Sequence, residues 1–308
     1  MTVAASAGAA PPDADAATRP RLAPLWTALV DLKRLRSAQT GGMASTAEVL
    51  FEDAAARLAA GEDADLVRED AVLRALAGTV MGPMTAEALA GAGMEPERAR
   101  AMIVRQAREV ADRYGLDAPG ALLPPPEAEP PEPAWLLVAQ PRAGATHPTA
   151  GRIVLEPAES HGDHCLVTAI IAALRAPAEA ATDAFLLGLW HHLHNALIPD
   201  GGFAGEVALG DDLLPLFREA ETRMLATLPA PLAKRLRGLL DAREDLSREA
   251  VRAFNAADAI DRVLEMAHHA RTARFELRDA LVDLDLVHPG PLQSFQLDVL
   301  AEAGLWPA

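Results

Sequence analysis

Apolar residues recur at spacings of three and four along most of this chain, the pattern of helices that bury one face. Before residue 116 the pattern predicts four or five helices, in the segments 25–35, 47–60, 65–77, 85–90 and 96–114. After residue 160 it predicts six more, in the segments 163–175, 181–198, 211–227, 230–241, 247–286 and 291–305. The order of elements indicates an all-α protein.

Two segments interrupt the helical pattern. Residues 117–134 carry seven prolines, which alternate with glutamates, and this composition predicts a semi-rigid extended linker. Residues 135–140 and 152–156 are β-prone runs that are predicted to pair as a small hairpin. The chain is thus expected to consist of a disordered tail (1–21), an N-terminal helical domain (22–116), the linker and a larger all-α domain (135–308).

Composition favours helices and argues against two classes of binding partner. Only 4% of the 308 residues are aromatic, and the formal net charge is -16. An acidic chain is repelled by nucleic-acid phosphates and by anionic lipids, so neither nucleic acid nor a membrane is an expected partner. Residues 85–114 resemble a helix-turn-helix, but acidic residues interleave with its arginines, as on a solvated helix face. The N-terminal helical domain is therefore expected to bind a protein partner or a second copy of the chain.

Cysteine usage and the N-terminal segment indicate the compartment. The single cysteine, Cys165, cannot form an intramolecular disulfide. The first twenty residues lack the apolar stretch of a signal peptide, and no apolar run is long enough to span a bilayer. We therefore expect a cytoplasmic protein, with Cys165 as a small buried side chain rather than a nucleophile.

The histidines are concentrated in the larger domain, where eight of the nine lie after residue 160. Three of them, His191, His192 and His194, fall in the helix predicted at 181–198, beside its apolar stripe. His191 and His194 are one turn apart with Asn195 next to them, a spacing that lets two side chains approach one ion from the same side of a helix. Hydrogen-bonded histidines at the edge of a core would give the same pattern without an ion.

The predicted helix 247–286 carries acidic residues on one stripe. Asp258, Asp261, Glu265 and His268 follow one another at helical spacing, next to an apolar stripe. Carboxylates at the border of a core need a cation or several hydrogen-bond donors. Arg262, four residues after Asp258, is the simple partner, and a metal ion is the alternative.

The order of these residues resembles the HD-domain superfamily of metal-dependent phosphohydrolases. Three segments carry the resemblance: Asp163-His164-Cys165 at a helix start, Leu-Trp-His191-His192 in an apolar helix, and Asn255-Ala-Ala-Asp258-Ala-Ile-Asp261. It covers residues 155–285 and implies an HD-type all-α domain. In that domain His164, His191 and Asp258 would bind metal, with Asp261 as the other candidate for the last ligand.

This sequence departs from the family pattern at two positions. His192 stands where the family has an aspartate that often bridges two ions, so the resemblance implies a site for one ion, formed by His164, His191, His192 and Asp258. Three imidazoles and one carboxylate suit zinc, manganese, iron or cobalt. Asn195 lies where some members have a glutamate that helps to activate water, and an amide cannot act as a general base.

Three functions are consistent with these residues. The first is hydrolysis of a phosphate ester or nucleotide, a small phosphorylated substrate, with His194 and Asn195 as the catalytic candidates beside the metal. The second is a binding or regulatory module whose metal site has lapsed. The third is a histidine-rich non-haem iron oxygenase, because the superfamily also contains oxygenases.

Further residues are expected to support the site. Ser160 and Asp163 are candidate caps of the helix that carries His164. The glycine-rich segment 199–206 is expected to form a loop beside the metal, either as a substrate lid or as a plain connection. Candidates for proton transfer or for contact with phosphate are His161, Glu206, Arg152, Arg262 and Lys234.

Overall fold

The structure is a computed structural model that describes residues 22–37, 44–117, 120, 122–271 and 276–305. Over these residues it has thirteen α-helices and one two-stranded sheet, which confirms the predicted all-α class with a short hairpin. The tail predicted at 1–21 lies outside the described residues. Within the described ranges, no helix is both long enough and apolar enough to cross a membrane.

Five helices precede the proline-rich segment: α1 (Ala23–Asp31), α2 (Thr46–Ala59), α3 (Ala64–Met81), α4 (Ala86–Gly91) and α5 (Pro96–Tyr114). Their ends follow from local chemistry. Ser45 and Glu48 form a capping box at the start of α2, and Asp63 caps α3. α5 ends at Gly115, whose φ of 64° is a left-handed conformation that glycine adopts without strain.

The segment predicted as linker and hairpin differs from the expectation. α6 (Glu132–Ala139) begins within the proline-rich segment and includes residues predicted as the first strand. Pro133 lies in its first turn, where a missing N–H breaks no intrahelical hydrogen bond. The hairpin lies further along, with β1 (Ala145–His147) antiparallel to β2 (Gly151–Ile153). The predicted pairing of 135–140 with 152–156 is therefore wrong.

Seven helices follow the hairpin: α7 (His161–Arg175), α8 (Ala181–Trp190), α9 (Gly202–Leu209), α10 (Leu213–Leu225), α11 (Ala230–Asp241), α12 (Glu249–Ala270) and α13 (Gln293–Glu302). The predicted helices 181–198 and 247–286 are too long. The first gives way to a 3-10 turn at Leu193–Ala196, and the second ends at Ala270. Apolar residues continue beyond both ends, so hydrophobic spacing alone could not locate them.

One hydrophobic cluster joins the two predicted domains. It contains side chains of α1 and α2, such as Trp26 and Phe51, together with side chains of α7, α8 and α12, such as Trp190. The rings of Phe51 and Trp190 lie 6.1 Å apart. α2 and α3 contact α7, and α1 contacts α12. Among the described residues the core thus continues across the proposed boundary at 117–134, which stays a prediction.

The approach of α7 to α8 depends on Gly188. A Cβ atom at this position would lie 2.6 Å from Cα of Ala169, a distance that side chains do not adopt. Because glycine has no side chain, the two backbones pack directly against each other. This contact brings the end of α8 to the α7 side of the core, where α12 packs on both helices.

Candidate metal centre

The first turn of α7 holds His164 inside the core. The Ser160 hydroxyl accepts a hydrogen bond from the backbone N–H of Asp163, and the Asp163 carboxylate accepts one from the N–H of Ser160. This capping box confirms the predicted helix start. The side chain of His164 is fully buried, and Cys165 is buried beside it, as expected.

The end of α8 brings two more histidines to His164. His191 directly follows the last residue of α8, and His192 precedes the 3-10 turn. The ring centroid of His164 lies 5.0 Å from that of His191 and 5.1 Å from that of His192. One ring nitrogen from each of the three lies within 4.8 Å of the others, so the group could hold a metal ion. We call these three residues the histidine cluster.

Each imidazole of the histidine cluster has its Nδ1 atom next to a hydrogen-bond acceptor. The acceptors are Oδ2 of Asp261 for His164 (2.6 Å), the carbonyl oxygen of Gly188 for His191 (2.7 Å) and Oδ1 of Asn195 for His192 (2.8 Å). Such acceptors require a proton on Nδ1, so in the neutral rings Nε2 carries the lone pair. Proteins orient histidines that bind metal ions in this way.

Two of the remaining nitrogen atoms, those of His164 and His191, converge with one carboxylate oxygen. Nε2 of His164 and Nε2 of His191 are 3.1 Å apart. Oδ1 of Asp258 lies 3.3 Å from Nε2 of His164 and 3.9 Å from Nε2 of His191. In a tetrahedral zinc site with bonds of about 2.1 Å, ligand atoms are about 3.4 Å apart. Two facing lone pairs repel unless a proton or a cation lies between them, so these atoms fit a bound metal ion.

Asp258 and Asp261, which the sequence left as alternatives, face different partners. Oδ1 of Asp258 faces the Nε2 atoms, and Oδ2 pairs with Nε of Arg262 at 3.3 Å, the partner expected from the sequence. Asp261 lies on the other side of the His164 ring, at Nδ1. Asp258 is thus placed to contact an ion directly, and Asp261 to orient one of its ligands.

Burial and neighbouring charges set the protonation states at this site. Burial lowers the pKa of His191 well below its ordinary value, and His164 lowers it further. Burial and the neighbouring His191 act on the pKa of His192 in the same direction. Burial alone would raise the pKa of Asp258, but Arg262 and His164 hold it well below its ordinary range. Neutral imidazoles next to an ionised carboxylate are the state that binds a divalent metal ion.

His194 does not join the histidine cluster, so the predicted approach of His191 and His194 to one ion is wrong. The 3-10 turn changes the direction of the side chains after His192. The ring of His194 stacks on Phe217, with 3.9 Å between centroids, and its Nδ1 lies 3.6 Å from Oε1 of Glu221. Burial lowers the pKa of His194, although Glu221 opposes the shift.

Asn195 supports the site through the hydrogen bonds of its side chain. Its Oδ1 accepts the hydrogen bond from His192, and its Nδ2 donates one to the carbonyl oxygen of Ile198 at 3.0 Å. Both ends of the amide are therefore engaged. The catalytic roles expected for His194 and Asn195 stay predictions.

A second buried polar group lies next to the histidine cluster. Nζ of Lys33 lies 2.5 Å from Oε2 of Glu159, 2.7 and 2.8 Å from the two oxygens of Asp261, and 3.5 Å from Oε2 of Glu265. We call these four residues the Lys33 cluster. Burial alone would lower the pKa of Lys33, but the carboxylates, Asp261 first, raise it above its ordinary value. This cluster carries its own cation.

The acidic stripe expected on α12 is therefore divided between two environments. Asp258 faces the histidine cluster, whereas Asp261 and Glu265 face Lys33. Glu265 also pairs with Arg34 at 2.5 Å. His268 lies apart from both, partly exposed, with Nδ1 3.9 Å from Asp31.

A cavity of about 480 Å³ opens beside the histidine cluster. His191, His192 and Asp258 form part of its wall, and Arg142 and Arg262 contribute two guanidinium groups. Its other lining groups include the stacked rings of Phe203 and His288, whose centroids are 4.0 Å apart. A cavity of this size accommodates a small organic molecule.

The glycine-rich segment after the cluster was expected to form a loop, but part of it is helical. α9 begins at Gly202 and forms one wall of the cavity. Gly202 has a φ of 60°, and a Cβ there would lie 2.5 Å from Oγ1 of Thr146. Asp200 fixes the turn before α9 by accepting hydrogen bonds from the N–H groups of Ala143 and Gly202. No residue of α9 is buried, so this wall is weakly packed.

Sequence reasoning missed three residues of the site: Lys33, Arg142 and Glu159. Lys33 lies 126 residues from Glu159 and 228 from Asp261, and such long-range pairs leave no local pattern. Its position between the apolar residues Leu32 and Leu35 was the one available signal. Among the candidates for phosphate contact, Arg262 lines the cavity, whereas Arg152 and Lys234 are exposed and do not belong to its wall.

Comparison of the chain with protein-family models, with curated proteins and with solved structures found no match. The resemblance to the HD-domain superfamily thus depends on the residues quoted for it and stays a prediction.

Proposed function

We propose that this chain is a metal-dependent hydrolase of phosphate esters, with one divalent ion bound by His164, His191, His192 and Asp258. One observation carries the proposal. Three imidazoles with their Nδ1 atoms held by acceptors lie close enough together to hold one ion, and Nε2 of His164 lies 3.1 Å from Nε2 of His191, at the wall of a cavity that contains two arginines.

The donor set indicates the kind of ion. Three imidazole nitrogens and one carboxylate oxygen favour zinc, iron, manganese or cobalt over magnesium, which prefers oxygen ligands. A bound ion of this kind would supply a Lewis acid for a phosphate oxygen and would lower the pKa of a water molecule.

The charges on the cavity wall favour an anionic substrate. The charged side chains of the wall are Arg142, Arg262, Asp200, Glu206 and Asp258, with one net negative charge. A divalent cation at the histidine cluster would give the same wall one net positive charge. Arg142 and Arg262 are then placed to pair with phosphate oxygens, as guanidinium groups commonly do.

Two side chains of the wall are suited to proton transfer. Burial raises the pKa of Glu206, and the nearby Asp200 raises it further, which makes this carboxylate a better base than an exposed one. His194 lines the same cavity and is held neutral by burial. We assign proton transfer to one of these two residues and a positioning role to Asn195, which holds His192.

The test is metal analysis of the purified protein combined with assays on phosphomonoesters and nucleotides, with manganese, cobalt, zinc or iron added. We expect about one equivalent of ion and metal-dependent hydrolysis. Asp258→Asn should lose both, because the carboxylate contacts the ion. Glu249→Gln, an exposed carboxylate on the same helix, is the matched control and should keep both.

Other outcomes would replace the proposal with a specific alternative. Less than about 0.2 equivalents of ion, with no hydrolysis under any condition, would leave a binding or regulatory module. Bound iron with oxygen consumption and no hydrolysis would indicate an oxygenase, since three imidazoles and one carboxylate also suit iron.

A further inference from the structure

Lys33 is a deeply buried charge that the metal site does not use directly. It follows α1 by two residues, in the N-terminal part of the chain, and its side chain is 1% exposed. Its ammonium group contacts carboxylates from two distant segments, Glu159 before α7 and Asp261 on α12. Few lysines are buried to this extent, and those that are need partners.

The position of the ammonium group is itself a cation site. Glu159, His164 and Asp261 lie close enough together to hold a metal ion. Lys33 occupies this place with a positive charge of the chain, and it contacts both oxygens of Asp261 at nearly equal distances, 2.7 and 2.8 Å. The contact fixes the orientation of that carboxylate as well as its charge.

Asp261 links Lys33 to His164. Its Oδ2 lies 2.6 Å from Nδ1 of His164, so the same carboxylate accepts hydrogen bonds from the lysine and from the imidazole. In the neutral ring a proton on Nδ1 leaves the lone pair of His164 on Nε2, which faces Nε2 of His191 and Oδ1 of Asp258. Outer partners of this kind typically change metal affinity about 10- to 100-fold when they are removed.

We propose that Lys33 is a positioning residue of the metal centre: through Asp261 it holds His164 with Nε2 directed at the ion. The inference rests on the proposed metal site, and it assigns part of that site to the N-terminal region. Residues that act through a shared partner are coupled, so their substitutions should not have additive effects.

Arg34 provides a matched control. It is the next residue in the chain and also ends on a carboxylate of α12, with Nη2 2.5 Å from Oε1 of Glu265. Within the part of the chain that the structure describes, Arg34 contacts Val30, Glu265 and His269 and not Asp261. Arg34→Met therefore removes a neighbouring cation of the same region without touching the link to His164.

The experiment compares metal dissociation constants of the full-length protein and its variants, measured with zinc and cobalt by competition with a chelator. Lys33→Met should weaken binding about 10-fold, and Asp261→Asn about 10- to 100-fold. The double variant should bind as weakly as Asp261→Asn alone, because Lys33 acts through Asp261. Arg34→Met should stay within about threefold of the unsubstituted protein.

A second readout needs no metal. In the metal-free protein, the Nδ1 proton shared by His164 and Asp261 should give a downfield proton resonance that Asp261→Asn removes. Lys33→Met should shift or broaden this resonance, and Arg34→Met should leave it unchanged. Lys33→Gln, which keeps a donor without the charge, should behave as Lys33→Met in both measurements.

Several results would overturn the inference. Additive losses in the double variant, or equal losses for Lys33→Met and Arg34→Met, would show a general effect on the fold. Failure of both Lys33 variants to fold, with Arg34→Met folded, would show that Lys33 serves the fold and not the site. If the unsubstituted protein bound no metal, the proposed function would fail, and an unchanged resonance in Lys33→Met would refute the link from Lys33 to His164 separately.

Discussion

Two buried polar clusters lie side by side next to α12, and each compensates the cost of burying polar groups in a different way. In the Lys33 cluster, three carboxylates surround an ammonium group at 2.5 to 3.5 Å, so the chain itself supplies a cation to its buried acids. In the histidine cluster, two Nε2 atoms face each other at 3.1 Å, and neither carries a proton when the rings are neutral. The first cluster contains a cation of the chain, and the second is suited to an added cation.

The two clusters differ in the hydrogen-bond partners that their polar atoms already have. Nδ1 of each clustered histidine already has an acceptor, so in the neutral ring the second nitrogen is an acceptor too. The carboxylates near Lys33 have donors in Lys33, Arg34 and Arg142. Polar residues in a core therefore indicate a ligand site when donors and acceptors do not match, and not merely because they are buried.

The largest expected effect is on the histidine cluster. His191→Ala removes one ligand and should weaken metal binding by more than about 100-fold, since it removes a direct contact rather than an outer partner. Competition with a chelator measures the change. His268→Ala, at a partly exposed histidine on α12, should leave the affinity unchanged. Retention of metal by His191→Ala would show that the ion, if any, binds elsewhere.

Removal of a carboxylate from the Lys33 cluster should lower the free energy of unfolding and leave metal affinity nearly unchanged. Glu265→Ala leaves Arg34 without its partner and removes one of the three carboxylates around Lys33. Broken buried ion pairs typically cost about 3 kcal/mol, so urea unfolding should show a loss of this size. Metal affinity should change by less than about threefold, because Glu159 and Asp261 still hold Lys33.

The exposed ion pair Arg105–Glu109 is the control for the loss of stability expected in Glu265→Ala. Its side chains are 60% and 55% exposed, so Glu109→Ala should cost less than about 0.5 kcal/mol. If Glu265→Ala were equally mild, the Lys33 cluster would not contribute to stability as its burial predicts.

A smaller effect is expected at Gly188, where the packing of α7 against α8 supports both clusters. Gly188→Ala places a Cβ 2.6 Å from Cα and 2.8 Å from N of Ala169, and these backbone atoms cannot yield as a flexible side chain can. We expect a loss of about 1–3 kcal/mol in the free energy of unfolding and weaker metal binding, because the Gly188 carbonyl also holds His191.

Gly238→Ala, in α11, is the matched control for that change. A Cβ at Gly238 meets no atom within 4 Å, so alanine should be neutral or stabilising by up to about 1 kcal/mol. Equal effects of the two substitutions would contradict the assigned contact between α7 and α8.

The smallest expected effect concerns a histidine outside both clusters. Burial, followed by the charge of Arg262, lowers the pKa of His288 to about 4. Well above pH 6.5 His288 is neutral in both states, and as the pH falls through about 6.5 the unfolded chain binds a proton that the folded chain does not, so stability is lost. Relative to His288→Gln, the metal-free protein should lose about 1 kcal/mol between about pH 7 and about pH 5.5.

Urea unfolding at the two pH values, with a chelator present, checks this prediction. The difference between the two proteins isolates His288 from other groups that titrate in the same range, such as Asp163, whose pKa burial raises to about 7. A constant difference would mean that His288 is already solvated in the folded state.

Local signals in the sequence were sufficient for part of this description. Apolar spacing identified the helical class, and the chemistry of Ser160 and Asp163 identified the start of α7. The pairing of Asp258 with Arg262 followed from helical spacing. The same reasoning failed for His194, because the step from α-helix to 3-10 turn after His192 changes the side-chain direction without a change in hydrophobicity. It also failed at 135–140, where apolar residues that suit a strand follow a proline that starts a helix.

The sequence by itself thus determined the helical class and which of the predicted helices carry histidines and acids, because these properties depend on neighbours within a few residues. Only the tertiary structure decided which Nε2 atoms converge, which aspartate faces them, and that Lys33 supplies the cation for the other acidic group. Those contacts join residues up to 228 positions apart, and their distances depend on how α1, α7, α8 and α12 pack. Packing at that range depends on the whole core, so it leaves no pattern in any one segment.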